Sequence, residues 1–191
     1  MQPTKQELHD LISGCLDNNR KCQQRIYEQF YGKMLGVCMR YANDLDSGKD
    51  LVQEGFIKLF ANLHNYKSDG SFEGWVRRIF VNNAIDSFRR KKHRDIVPEN
   101  DYQLMNLADE TDEHAFLDEE EETIKPKDVI AAMQRLSPAY QMVFNLYVME
   151  NYSHQEIADE LGISVGTSKS NLAKSRMNMR KILQEQFADR L

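Results

Sequence analysis

Apolar side chains recur along most of the chain at three- and four-residue intervals, the spacing of one face of an α-helix. Leu8, Leu11, Ile12, Cys15 and Leu16 form the first such face, opened by a capping box, Thr4-x-x-Glu7. A second helix is predicted from about residue 22 to 43, with Ile26, Phe30, Met34, Val37, Cys38 and Tyr41 on one side. Ser47-x-x-Asp50 is the expected cap of a third, whose apolar face is Leu51, Val52, Leu59, Phe60 and Leu63. Asp69-Gly70 turns the chain, and Ser71 caps a long helix from Phe72 to about Lys92. The period then disappears until Pro126, which suits the first position of a helix carrying Val129, Ile130, Met133 and Leu136. Ser137-Pro138 restarts a helix, Asn151 ends it, and Ser153-x-x-Glu156 is another capping box. No segment alternates as a strand does. The predicted class is all-α: two small helical domains, residues 1–94 and 126–191, joined by a flexible acidic linker at 95–125.

The helix from Phe72 is apolar round most of its circumference. Phe72, Trp75, Val76, Ile79 and Phe80 fall on one broad arc, and Val81, Ala84, Ile85 and Phe88 cover much of another. What remains is a narrow polar sector of Arg78, Asn82, Asp86 and Arg89. Such a helix is buried in a bundle, and its one polar strip meets solvent or a ligand. The strip runs into Arg89, Arg90, Lys91 and Lys92, a phosphate-binding composition. Asp86 is expected to pair with Arg89 or Arg90 one turn on. Tyr66, in the turn before the helix, is expected at the surface, either stacking on an unpaired base or covering the end of the bundle.

The sharpest local pattern lies near the C-terminal end, where a short helix, a turn at Gly162 and a second helix capped by Ser164 read as a helix-turn-helix. With Leu172 as reference, Val165, Met179 and Leu183 lie within about 20° of it round the second helix. Thr167, Ser170, Asn171 and Lys174 lie opposite, so they are expected to be exposed. Short polar groups, an amide and an ammonium near a helix N-terminus suit base edges and phosphates in a major groove. A generic polar outer face is the plainer reading. Ser168 falls on the inner side, where its hydroxyl is expected to bond a backbone carbonyl.

The net charge of −5 conceals a segregation. Residues 25–94 carry thirteen basic against eight acidic side chains, whereas 95–128 carry two against thirteen. Two basic helices on an acidic chain keep nucleic-acid binding open where the overall balance argues against it. No stretch approaches the roughly 18 apolar residues of a membrane span, and the first residues lack the apolar core of a signal peptide. The three cysteines, Cys15, Cys22 and Cys38, lack Cys-x-x-Cys spacing and read as buried thiols in a reducing cytoplasm. The five histidines form no metal-ligand spacing, and the one dense carboxylate run, Asp118 to Glu122, lies in the linker. The expectation is no catalytic site, no metal and no cofactor.

The blocks DLVQEGFIKLF, FEGWVRRIFVNNAIDSFRRKKHR and LSPAYQMVFNLYVMENYSHQEIADELGISVGTSKSNLAKSR, in that order, resemble a bacterial extracytoplasmic-function sigma factor. The resemblance covers region two (about 23–94) and region four (about 128–184). It implies a promoter-specificity subunit that binds the clamp of RNA polymerase's largest subunit and the flap of its second-largest, with an anti-sigma factor as a further partner. Asp50, Leu51, Gln53, Glu54 and Phe56 match the family's clamp-binding helix. Asn82, Asp86, Arg89 and Arg90 match its −10-recognition helix, with Arg78, Lys91 and Lys92 on the same strip. The turn from Asn65 to Ser71, with Tyr66, Lys67 and Ser68, matches the loop that holds a flipped base. Thr167, Lys169, Ser170 and Lys174 match the −35-recognition helix, and Ser164, Asn171 and Arg176 complete the set placed there. Ser168 stands where Val is commoner, and Asn171 where Arg is frequent. The implied linker path runs through polymerase's active-site cleft and RNA exit channel.

Two other classes are weighed. A stand-alone helix-turn-helix regulator would explain the last sixty residues but not the basic, amide-bearing strip on the first domain. A nuclease or other hydrolase lacks a clustered set of catalytic groups outside the linker.

Overall fold

A computed structural model describes residues 5–94 and 125–187. The expected Thr4 cap and the acidic segment 95–124 lie outside the described residues. Ten helical segments among the described residues fall into two groups. The first comprises α1 (Lys5–Leu16), α2 (Arg20–Met39), α3 (Leu45–Asn62), a 3₁₀ turn at Leu63–Asn65, and α4 (Phe72–Arg94). The second comprises α5 (Pro126–Gln134), α6 (Pro138–Phe144) running into a π-helical turn (Asn145–Met149), α7 (His154–Leu161) and α8 (Val165–Phe187). No strand occurs among the described residues.

Capping fixes most of the boundaries. Ser71 Oγ accepts the Gly74 N–H at the start of α4, and Ser153 and Glu156 close their reciprocal box at the start of α7. Helix α3 starts earlier than expected: Asp44, not Ser47, is its cap, its carboxylate accepting the Ser47 N–H at 2.7 Å. An anion at a helix N-terminus gains from the dipole as well as the hydrogen bond. The Ser47 bonds accordingly hold the Asp44 carboxyl below its ordinary range. Ser137 occupies the cap position of α6, but its hydroxyl makes no capping bond.

Helices α2, α3 and α4 enclose a core of Ile26, Phe30, Met34, Val52, Leu59, Val76, Phe80 and Ile85. Helices α3 and α4 approach closely at Gly55, where an added Cβ would lie 2.5 Å from the Phe80 ring. Buried Asn83 then reaches across to donate to the Leu51 carbonyl at 3.1 Å.

The core continues past the expected domain boundary. Met142, Val143, Leu146, Ile157, Leu161 and Leu172 belong to the same apolar cluster as the first bundle. Helix α5 and the far end of α8 build a smaller second cluster, from Ala132, Met133, Leu136, Met179 and Ile182. The end of α2 explains the joint. Its last carbonyls have no intrahelical donor, and three amides from the second group supply them. Gln134 donates to the Met39 carbonyl at 3.2 Å and Gln141 to that of Arg40 at 3.0 Å, with Asn145 donating to the same oxygen. Beside them the Glu150 carboxylate accepts from Arg40 at 3.0 Å and from Arg77 at 2.8 Å. The Arg40 and Glu150 side chains are each 8% exposed, so the pair is buried. Tyr41 Oη and Asn145 Oδ1 are buried there without hydrogen-bond partners, a cost of about 1–3 kcal/mol each. Burial, reinforced by Glu150, pushes the Tyr41 hydroxyl pKa upward.

Two glycine substitutions should separate packing from backbone entropy. Gly55→Ala forces a methyl against Phe80 and should destabilise by about 1–3 kcal/mol. Gly36→Ala, on an exposed turn of α2 with open space around it, should stabilise by about 0.5–1 kcal/mol. Urea denaturation of both variants measures the two signs.

Candidate nucleic-acid interface

The polar strip of α4 forms as a strip. Arg78 and Asn82 are exposed, Asp86 and Arg89 are half-buried, and Arg90, Lys91 and Lys92 are exposed beyond them. Its pairings differ from those expected within one helix. Asp86 accepts from Lys58 of α3 at 2.6 Å, and Arg90 donates to Glu54 of α3 at 2.8 Å. Arg89 turns the other way, donating to Glu160 Oε2 at 3.0 Å and to the Glu160 carbonyl. Neighbouring helices bring these partners closer than the one-turn spacing brings Asp86 to either arginine.

The turn before α4 carries Ser68 at φ +59° and Gly70 at φ +104°, with Lys67 and Ser68 exposed. Tyr66 is half-buried rather than exposed. Its ring meets Phe72 edge-on at 5.0 Å and tilts on Trp75 at 5.2 Å, and its hydroxyl donates to the Gly70 carbonyl. It covers the end of the bundle and ties the turn closed.

On α3, Asp50 and Gln53 are exposed and Glu54 is half-buried. Leu51 and Phe56, grouped with them from the sequence, are 9% and 4% exposed and belong to the core. They face inward because the helix buries them against α2 and α4, so they offer a partner no surface. Ile57, not singled out from the sequence, is 64% exposed. Its spacing from Asp50, Gln53 and Glu54 puts all four on one face, which is the signal that would have found it.

The helix-turn-helix is built as its sequence predicts. Gly162 takes φ +61° between α7 and α8, and Ser164 Oγ accepts the Thr167 N–H at 2.9 Å. Ser164, Lys169, Ser170 and Arg176 are exposed, whereas Thr167 and Lys174 are half-buried. Asn171 is not on the exposed stripe: it is 5% exposed. The buried face of α8 runs through Ser168, Asn171, Leu172, Ser175, Met179 and Ile182, centred about 50° from Leu172. Small serines allow close packing on that side, and each hydroxyl finds a partner. Ser175 donates to the Leu172 carbonyl at 2.7 Å. Ser168 bonds not a carbonyl but His154 Nδ1, at 2.9 Å. Tyr147 stacks on the His154 ring at 4.6 Å, and the Arg176 guanidinium lies 5.9 Å from the Tyr147 ring centre. Burial first, then the charges of Lys169 and Arg176, hold the His154 pKa below its ordinary range.

A helical bundle with a basic, amide-bearing strip and a helix-turn-helix thus stand on the same chain. Comparison with known proteins gives the class. The sigma-70 region 2 profile matches residues 26–94 and the sigma-70 region 4 profile matches residues 127–179. The chain belongs to the sigma-70 family, as an extracytoplasmic-function sigma factor, the subunit that gives RNA polymerase promoter-specific initiation. The ECF RNA polymerase sigma factor SigE of Mycolicibacterium smegmatis is 29% identical over 160 residues, spanning 83% of this chain and 60% of that protein. The RNA polymerase sigma-H factor of Pseudomonas aeruginosa is 26% identical over 95% of this chain and 96% of that one. A solved complex of the sigma factor RpoE with the anti-sigma factor NepR, from Bartonella quintana, overlaps with a TM-score of 0.49 and 18% identity, over 84% of this chain and 96% of that one. The region 2 match sets aside the stand-alone regulator, which accounts for the helix-turn-helix alone. No helix among the described residues is long and apolar enough to cross a membrane.

The burial of His154 beside the charges of Lys169 and Arg176 makes the helix-turn-helix pH-sensitive in a defined direction. Between the ordinary imidazole pKa of about 6.5 and the lower value in the fold, the unfolded chain takes up a proton that the folded chain does not. Stability therefore falls as pH drops through that window and is fully present above it. Urea titrations from about pH 7.5 to pH 5 should show a steeper loss in the wild type than in His154→Gln.

Proposed function

We propose that the chain divides its promoter reading between α4 and α8. In this reading residues 1–94 hold polymerase and engage the −10 element, 95–125 connect, and 126–191 engage the −35 element. One observation carries it. Helix α4 buries nearly all its circumference yet leaves Arg78 and Asn82 in solvent, continuous with exposed Arg90, Lys91 and Lys92. An amide and guanidinium reach base edges, while the basic end meets phosphate. The turn at Asn65–Ser71 lies at the start of the same helix, where a base flipped from an opened duplex would be received. Thr167, Lys169, Ser170 and Lys174 serve the −35 element, with Ser164 and Arg176 at the margins of that face. Asn171 acts through packing instead. Asp50, Gln53 and Glu54 meet the clamp of polymerase's largest subunit, and the second domain meets the flap of the second-largest. An anti-sigma factor is the regulatory partner that the family leads us to expect. We place the protein in the cytoplasm and assign it no catalysis and no cofactor.

The strip is tested in the holoenzyme. Replacing Asn82 and Arg89 together with alanine should abolish permanganate-reactive thymines at the −10 element while polymerase still co-purifies. Wild-type footprints would remove α4 from melting. For the second surface, Lys169→Ala should weaken binding to all −35 sequences and flatten the salt dependence, the behaviour of a phosphate contact. Filter binding of holoenzyme across a salt series measures it.

A further inference from the structure

Helix α7 opens on a polar cluster at its crossing with α8. The Tyr147 ring, from the π-helical turn, stacks on the His154 ring at 4.6 Å. The Arg176 guanidinium of α8 lies 5.9 Å from the centre of the same Tyr147 ring. His154 Nδ1 meets the Ser168 hydroxyl of α8 at 2.9 Å. Ser168 is fully buried, so this bond lies inside the crossing and resists rotation of α8 about its own axis. An aliphatic side chain at 168 could make no such bond.

Few charges surround the ring. On its own helix, Glu156 is taken up in the cap by Ser153 at 2.8 Å, and Glu160 is bound by Arg89 of α4. Glu150, at the end of the π-helical turn, is held by Arg40 and Arg77. Helix α8 brings Lys169 and Arg176, both exposed. Burial first, and then these two cations, disfavour a charge on the imidazole. Lys169 is also the side chain assigned to phosphate, with Arg176 at the margin of the same face. A phosphate paired with either one cancels its repulsion and favours the protonated ring. The Ser168 hydroxyl can donate to a neutral Nδ1 or accept from a protonated one. The bond therefore survives the proton, and α8 keeps its place.

We propose that His154 is a positioning residue of the −35 helix, and that it takes up a proton when Lys169 and Arg176 engage phosphate. The inference rests on the assignment of α8 to the −35 element. Its sign follows from linkage. Between the free and the DNA-bound pKa the bound protein holds more proton, so affinity rises as pH falls through that window. Fold stability runs the other way across the acid range, because the unfolded chain takes up the proton as well. A side chain that only packs would weaken binding as it weakens the fold. Here binding tightens while the fold loosens.

The test uses the full-length protein at low salt with a pool of random-sequence duplex DNA, and fluorescence anisotropy reads binding. Wild type, His154→Asn and His154→Ala are compared at about pH 7.5 and about pH 5.5, where circular dichroism checks the fold. The asparagine amide can bond Ser168 but does not titrate. Acidification should tighten the wild type by roughly three- to tenfold more than His154→Asn. At the higher pH, His154→Ala should bind roughly fivefold more weakly than wild type, with His154→Asn recovering most of the loss. Ser168→Ala, which removes the partner and keeps the ring, should match His154→Ala. The His154 imidazole resonances, assigned by their absence from His154→Asn, should titrate at higher pH with duplex than without it. If they titrate at the same pH, the proton linkage is overturned. If His154→Ala and Ser168→Ala both bind as wild type does at the higher pH, the positioning role is overturned. Lys169→Ala separates this failure from that of the underlying reading. Duplex affinity and a salt slope equal to wild type would sink the −35 face itself, whereas a weakened Lys169→Ala beside an unmoved His154 would sink only the linkage.

Discussion

Helix α4 can be satisfied only in the middle of the molecule. Val76, Phe80, Val81, Ala84 and Ile85 are all at most 2% exposed, and they point in too many directions for one neighbour to cover. Helices α2 and α3 take one part of the circumference, with Gly55 letting α3 close on Phe80. The second domain flanks another part through Arg77 and Arg89. The polar strip is then what remains, and its placement follows from the burial of everything else. A polar strip on such a helix is rigid, because moving it means moving the core.

The joint between the domains follows a different rule. Buried amides and a carboxylate between two arginines give little net stability, since desolvation offsets much of their attraction. They give orientation instead. A carbonyl at the end of α2 accepts only from directions that Gln141 and Asn145 can reach, and Glu150 fits only where two guanidinium groups converge. An apolar contact alone would let the second domain slide.

Local rules were readable wherever a short stretch contained both halves of an interaction. The Ser153–Glu156 box, the Ser71 cap and the left-handed Gly162 need only a few neighbouring residues. At the start of α3, Asp44 and Ser47 both satisfy the same cap rule, and only the helix dipole favours the acid. The buried face of α8 is rotated from the apolar one because Ser168 and Ser175, which contribute nothing to a count of apolar positions, sit at the centre of the buried side. The pairings of Asp86, Arg89 and Arg90 depend on residues 28, 71 and 36 positions away, which no spacing rule supplies. Gln134, Gln141 and Asn145 resemble solvated polar residues until the end of α2 is placed against them.

The ion pairs on α4 also change how far its charge is felt. Arg89 with Glu160, Arg90 with Glu54 and Asp86 with Lys58 are each a plus and a minus a few ångströms apart. Seen from a distance, each pair is a dipole, whose field decays faster than that of a single charge. Lys91 and Lys92 are exposed and enter no ion pair among the described residues, so they act as monopoles, whereas the charge of exposed Arg78 is offset by nearby Glu156. The attraction of a polyanion over a Debye length of about 8–10 Å therefore comes mainly from the end of the helix rather than from the whole basic stretch. The paired arginines act only at contact, where a phosphate or a base edge can displace their present partners.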